Sequence, residues 1–263
     1  MQPDHLYERH LIFKPYRKPG FLKPRPGGSQ DVQAPEVQRL NKLLNGGLYY
    51  VQLVGEVKAA DFGIGSVDVA MGGVTDAEKQ GGNQYDPSNQ SWRIEFKDIP
   101  DAGTGSAVTS RLISTSRIPY GDIVPMMKAW GYEYGKPLFS IHKVHGFANH
   151  PLTCRCSYVS EYVLEGDRFI SDDTVLLLHR ILNFPPNKQP QGAPATQLPR
   201  LEAMVPLDSS GGYVLQAWIT VQDSGNPDLM KAASKRLLGL KEHLKSAVKL
   251  EPADRLSLDT RVK

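Results

Sequence analysis

Five side chains of the kinds that hold zinc crowd one short stretch: His142, His145, His150, Cys154 and Cys156. Imidazole nitrogen and thiolate sulfur are the donors zinc prefers. The spacings His-x2-His and Cys-x-Cys fit no zinc module, however, and the stretch reads as a surface excursion. A second metal chemistry would place glutamates two residues apart along a strand, so that both carboxylates share one face and offer hard oxygens to Mg²⁺ or Mn²⁺. No two glutamates in the chain stand at i and i+2, and strand acids such as Glu95 and Glu161 stand alone. Gly63-Ile64-Gly65-Ser66 and Gly103-Thr104-Gly105-Ser106 complete neither a dinucleotide fingerprint, nor a P-loop with its lysine, nor a G-x-S-x-G elbow, and read as turns. No catalytic, cofactor-binding or metal-binding residue is assigned from the sequence, no cofactor is expected, and the expected protein is not an enzyme.

The chain's charge points away from nucleic acid. A formal net charge of +3 over 263 residues is far from the basic stripe of a nucleic-acid binder. The dense basic stretch Lys14, Arg17, Lys18, Lys23 and Arg25 alternates with Pro15, Pro19, Pro24 and Pro26, as a solvated loop does. No apolar run approaches the ~20 residues of a membrane helix, and Met1-Gln2-Pro3-Asp4-His5 lacks a signal-peptide core. Cys154 and Cys156, the two cysteines, cannot build a disulfide framework, so a reducing compartment is expected. Hydrophobic residues at 40% and charged residues at 22% are ordinary for a folded domain.

The elements that would position any site are mostly strands. Tyr7–Phe13, Leu48–Val54 and Trp92–Lys97 read as strands, the last with strict apolar and charged alternation. Ala107–Ser114 is a weaker one. Tyr158–Leu164 and Arg168–Ile170 flank Glu165-Gly166-Asp167, which reads as a hairpin turn. Thr174–Phe184 and Tyr213–Val221 follow, and Leu256–Val262 could close the set. Two helices are predicted: Ala34–Leu44, and a long amphipathic one of about six turns opened by Asn226 as N-cap and Pro227 at N1. In the latter, Met230, Ala233, Leu237, Leu240, Leu244 and Val248 recur on one face. Asp61–Ser91 and the Pro/Gln-rich connection 185–199 read as mobile. Turn signals between antiparallel neighbours predict a mainly β fold, an antiparallel barrel or sandwich in a single domain over 1–263.

Taken in order, the segments resemble the fungal form of Mediator subunit 18. The resemblance rests on His5–Pro15 with Arg17–Gly20, Gly28–Gln30, Gln38–Leu44, Leu48–Val57, Tyr158–Gly166, Leu178–Leu182, Tyr213–Ala217, Val221–Asp223 and Asp254–Val262. It implies an antiparallel β-barrel with flanking helices, related in shape to the RNA triphosphatase tunnel, without that tunnel's glutamate pairs. It further implies a nuclear, non-catalytic coactivator subunit of the Mediator head module that bridges regulators and RNA polymerase II. The partners implied are Mediator subunit 20, the C-terminal helix of Mediator subunit 8 and other head subunits, with no membrane and no specific nucleic acid.

Two departures from the family pattern stand out. A strand and a helix that would precede His5 are expected to be missing. Residues 133–157, which hold all the His and Cys candidates, interrupt the expected run from Gly131-Tyr132 into Val159-Ser160-Glu161 and read as an insertion or a retained intron. The competing readings are a triphosphate-tunnel phosphohydrolase, and nucleic-acid binding through the Lys14–Arg25 loop.

Overall fold

The structure, a computed structural model, describes residues 2–15, 47–63, 85–101, 107–129, 158–223 and 225–262. The predicted helix 34–44, the 133–157 stretch with His142, His145, His150, Cys154 and Cys156, and the basic side chains beyond Lys14 lie outside the described residues.

Eight strands form one antiparallel sheet: β1 (Asp4–Phe13), β2 (Val51–Val57), β3 (Trp92–Lys97), β4 (Ile113–Ile118), β5 (Tyr158–Ser171), β6 (Thr174–Asn183), β7 (Val205–Pro206) and β8 (Val214–Ile219). The spatial order is β4-β3-β2-β1-β5-β6-β7, with β8 also pairing with β6. Among the described residues the sheet is open, with β4 at one end and β7 and β8 at the other, where a closed barrel was expected. The segment expected to close it, Leu256–Val262, is a turn followed by a single bridge, Tyr49 to Arg261. Two backbone bonds flank that bridge, Tyr50 N–H to the Thr260 carbonyl and Val262 N–H to the Leu48 carbonyl, both 2.8 Å. The Asp259 carboxylate accepts from the Arg261 backbone N–H at 3.0 Å and from its guanidinium at 2.8–2.9 Å.

The hairpin between β5 and β6 also differs from expectation. Glu165-Gly166-Asp167 is strand interior, and the chain reverses at Asp172-Asp173, between the paired Ser171 and Thr174. Asp172 takes φ 53°, a left-handed conformation that aspartate tolerates better than most residues. Gly166 serves a close approach instead of a bend. A Cβ there would lie 2.6 Å from the Leu178 carbonyl oxygen and 2.8 Å from His179 Cβ.

Strand periodicity sorts side chains onto two faces. On the apolar face Leu11, Phe13, Val51, Leu53, Trp92, Ile94 and Tyr158 form a core with Ile123 and Met127. The last two stand one turn apart on the short helix α1 (Ile123–Ala129), whose start is capped by Asp122 Oδ1 accepting from the Val124 N–H at 3.0 Å. A second cluster on this side gathers Val57, Tyr85, Val163, Leu182, Phe184, Leu198 and Met204. The connection 185–199, expected to swing free or run as polyproline II, is pinned to it: Leu198 is 2% exposed and bridges to Phe62.

Helix α2 (Pro227–Leu244) starts where the sequence places it. Asn226 Oδ1 accepts from the N–H groups of Asp228 and Leu229 at 3.0 and 3.3 Å, and Pro227 occupies the first turn. It ends at Leu244, one turn before the expected Val248. The helix packs against β8 and is tied to the β5–β6 turn by Arg236 and Asp173, 2.6 Å apart. None of its residues is buried.

Candidate interaction surface

Three features of the sheet are candidates for function: a buried ion pair on the apolar face, a polar row on the opposite face, and an exposed apolar edge. The register determines which face each takes. Glu161 stands opposite Leu11 on β1, whereas Glu95 stands opposite Gln52, itself opposite Ile12. The two acids therefore point to opposite sides of the sheet, and each is tied to cations.

Glu161 is paired with Arg9 in the core, with side chains 0% and 1% exposed. Its Oε2 accepts from Arg9 Nε at 2.8 Å and Nη2 at 2.5 Å. Its Oε1 accepts from the Ala195 N–H at 2.7 Å. Arg9 also donates to Tyr85 Oη at 2.7 Å and to the Ala195 carbonyl at 2.6 Å, and its guanidinium lies 5.7 Å from the Tyr85 ring and 5.9 Å from that of Trp92. Burial opposes the charge on Arg9, but Glu161 and Tyr85 outweigh it and keep the guanidinium firmly protonated. Burial raises the Glu161 carboxyl above the ordinary carboxylate range, against the pull of Arg9 and the Ala195 amide. One ion pair thus fastens β1, β5, the turn near Tyr85 and the 185–199 connection together.

The polar face carries Glu8, His10, Gln52, Arg93, Glu95, Lys97, Tyr162 and His179. Glu95 accepts from Arg93 Nε at 2.5 Å and lies 2.7 Å from Lys97 Nζ, while Lys97 donates to Gln52 Oε1 at 2.9 Å. Glu8 reaches across β2 to Arg93 at 3.5 Å. Burial pushes both carboxyls up, yet their cationic neighbours prevail and hold each below its ordinary value. The His10 ring stacks on Tyr162 at 4.8 Å between centroids; burial pushes the Tyr162 phenol up to about 12. Among the described residues no three His, Cys, Asp or Glu side chains gather to hold a metal. Glu8 and Glu95 are each already engaged by Arg, Lys or His.

The third feature is an edge. Ile170, Val175 and Trp218 stand in register across β5, β6 and β8 on one face, with Ile170 56% and Trp218 37% exposed. Val214 continues the strip, while the exposed Tyr213 lies on the other face, where Arg180 covers its ring at 5.4 Å. Among the described residues nothing pairs with the far edge of β8. Such an edge offers backbone N–H and C=O groups to an added strand, beside apolar side chains that can grip it.

Sequence reasoning missed the Arg9–Glu161 pair and the polar row. The signal was present: Glu8, Arg9 and His10 sit consecutively inside a strand, so both faces receive an ionisable group there.

The comparisons agree with one another. The family model described as Med18 protein matches residues 1–137 and 156–261. A Mediator of RNA polymerase II transcription subunit 18 from Coccidioides immitis is 72% identical over 265 residues, covering 100% of this chain and 90% of that relative. The subunit of the same name from Neosartorya fischeri is 50% identical over 268 residues, with the same coverage. The solved Schizosaccharomyces pombe Mediator head module contains a chain of similar fold, with TM-score 0.55 and 14% identity, covering 96% of this chain and 86% of that one. With a mainly β antiparallel sheet, no described metal-binding cluster and relatives matching over its full length, the chain belongs to the Med18 family.

Proposed function

We propose that this protein works in transcription as a non-catalytic coactivator subunit of the Mediator head module, bridging regulators and RNA polymerase II by presenting surfaces to other polypeptides. The observation that carries this reading is the family match over nearly the whole chain, at 72% identity to a relative bearing that subunit's name. The exposed β8 edge and the apolar strip beside it support a role in being bound, since strand addition at a sheet edge, with apolar side chains gripping the added strand, is a recurring way for a domain to seat a peptide. The phosphohydrolase alternative has no support: Glu8 and Glu95 are engaged by Arg93, Lys97 and His10, and the relatives are named as transcription-complex subunits.

Three finer points belong to the same reading. The sheet curls into a barrel. Glu8 touches Arg93 across an intervening strand, and Leu6, Val54, Leu164 and Leu177 are buried on the polar face, as a strongly curled sheet requires. Residues 133–157 are an insertion or a retained intron, a reading supported by the gap at 138–155 in the family match. Sequencing the mature transcript tests this: a message without the segment means an intron, whereas a message with it and zinc in the purified protein means a metal site. The protein is nuclear and pairs with Mediator subunit 20 and the C-terminal helix of Mediator subunit 8, burying more than about 1,200 Å² in a stable pairing. Capture of the tagged protein from nuclear extract followed by mass spectrometry should return both. Recovery with no other head subunit would overturn the proposal.

A further inference from the structure

At the end of the sheet away from β8, among the described residues, nothing pairs with the outer side of β4. Its residues from Ile113 to Arg117 are exposed or half-buried, and the C-terminal segment touches Thr109, short of the strand. The Asp98 N–H donates to the Leu112 carbonyl at 2.9 Å, which sets the alternation of the β3–β4 ladder. Ser114, Ser116 and Ile118 turn their backbone groups toward β3, and Ile113, Thr115 and Arg117 turn theirs outward. The same alternation puts Arg111, Ile113, Thr115 and Arg117 on the polar face. We propose that the outer edge of β4 accepts an extended acidic segment of a partner polypeptide as an added antiparallel strand, with carboxylates opposite Arg117 and Arg111.

Charge complementarity selects this occupant. On β2, β3 and the β4 side the polar face carries Glu56, Arg93, Glu95, Lys97, Arg111 and Arg117, and Glu8 joins them from β1. Arg93 and Lys97 hold Glu95, and Arg93 also holds Glu8. Glu56 stands opposite Glu8 on β2, with β3 between it and β4. Arg117 stands directly opposite Arg93, in the kind of pair where side chains approach most closely, and like charges so placed repel. Neither Arg117 nor Arg111 has an ion pair or side-chain hydrogen bond among the described residues. Burial pulls the Arg111 guanidinium below its ordinary value, against the pull of Glu95. Two cations are thus left over beside a row of unpaired backbone groups. An added strand supplies both needs: its backbone completes the ladder, and acids on one of its faces reach Arg117 and Arg111. An apolar residue between those acids meets Ile113, which is 47% exposed. A nucleic acid would answer the charge but not the ladder, because its phosphates offer only acceptors.

The inference rests on the reading that this protein works by being bound. Its test is fluorescence anisotropy of a labelled, capped peptide, Glu-Thr-Thr-Thr-Val-Thr-Glu flanked by threonines, titrated with the full chain. Binding should weaken as salt rises and be lost when glutamine replaces both glutamates. Arg111→Gln and Arg117→Gln should each weaken it by about two- to fivefold, the range of an exposed ion pair. Thr115→Pro removes an outward N–H and no bond to β3, and should weaken binding by about tenfold or more with the circular dichroism spectrum unchanged. No binding of the glutamate peptide, equal binding of the glutamine peptide, or full binding by Thr115→Pro would overturn the proposal. So would a single-stranded oligothymidylate that binds more tightly and displaces the peptide. The two arginine variants and the peptide comparison stand even if Thr115→Pro does not fold. Capture of head subunits from nuclear extract is a separate readout, so failure of the β4 site and failure of the broader reading are told apart.

Discussion

Replacing Glu161 with alanine tests what the core ion pair contributes. The substitution removes the acceptors of Arg9 Nε and Nη2 and of the Ala195 N–H, while leaving the guanidinium in a site where its side chain is 1% exposed. Breaking one partner of a buried pair costs about 3–5 kcal/mol. The orphaned Ala195 amide has a desolvation penalty of roughly 1–3 kcal/mol, only partly additive with the first. A loss of about 4 kcal/mol is a large part of the 5–15 kcal/mol typical of a domain. At roughly 2–4 °C per kcal/mol for a chain of this size, the midpoint of thermal unfolding should drop by about 8–16 °C. Trp92, whose ring lies 5.9 Å from the guanidinium, gives a local fluorescence report to set beside circular dichroism in urea. The double variant Arg9→Met with Glu161→Leu removes both charges and should recover most of the loss, because the pair's own net stabilisation is small once desolvation is counted. A Glu161→Ala loss below about 1 kcal/mol, or a double variant as unstable as the sum of the singles, would refute the reasoning.

Other expectations follow from the same geometry. Gly166→Ala should destabilise by roughly 1–3 kcal/mol through overpacking, since its Cβ would meet the Leu178 carbonyl at 2.6 Å; urea midpoints measure it, and an unchanged midpoint would show that the two strands can separate freely. Asn226→Ala should cost about 1 kcal/mol by removing the cap of α2, read as lost helical ellipticity and a lower midpoint. Glu8 and Glu95 are held below their ordinary value in the fold. The stability they contribute is therefore complete above the usual glutamate value of about 4.3 and lost as pH falls through the folded values. Unfolding midpoints measured from pH 5 down to pH 3 should drop, and Glu95→Gln should flatten the drop. Glu161, raised by burial, has the opposite sign: its contribution is complete at low pH and declines as pH rises through its folded value, so Glu161→Gln should not flatten the acid limb.

The sequence disclosed the elements more readily than their closure. Trp92–Lys97 and the start of α2 were legible because local rules suffice for them: strict alternation in the strand, and the Asn-Pro pair at the cap. Gly166 misled because a glycine between acids is a turn signal only when nothing packs against it, and the Leu178 carbonyl does. Leu256–Val262 has a strand's composition, but residues 255–258 form a turn, and the chain meets Leu48–Tyr50 only through the two backbone bonds that flank the Tyr49–Arg261 bridge.

The same distinction explains why the buried charges were the least legible part. A carboxylate on a strand looks solitary in sequence because its counterion is far along the chain: 152 residues separate Arg9 from Glu161, and Glu8 meets Arg93 only when β3 folds across β2. The absence of glutamates at i and i+2 denies the metal-dependent tunnel chemistry its ligands, but that criterion sees one strand at a time. A sheet gathers side chains from neighbouring strands, so the polar face could in principle have assembled a metal site from single acids on different strands. Among the described residues it does not: Arg93 and Lys97 flank Glu95 two residues away on either side of the same strand, and Arg93 also neutralises Glu8. Placing base, acid and base on one face of β3 fills the coordination sites that an ion would need. For a protein that works by being held, this arrangement stiffens the sheet without creating a reactive centre.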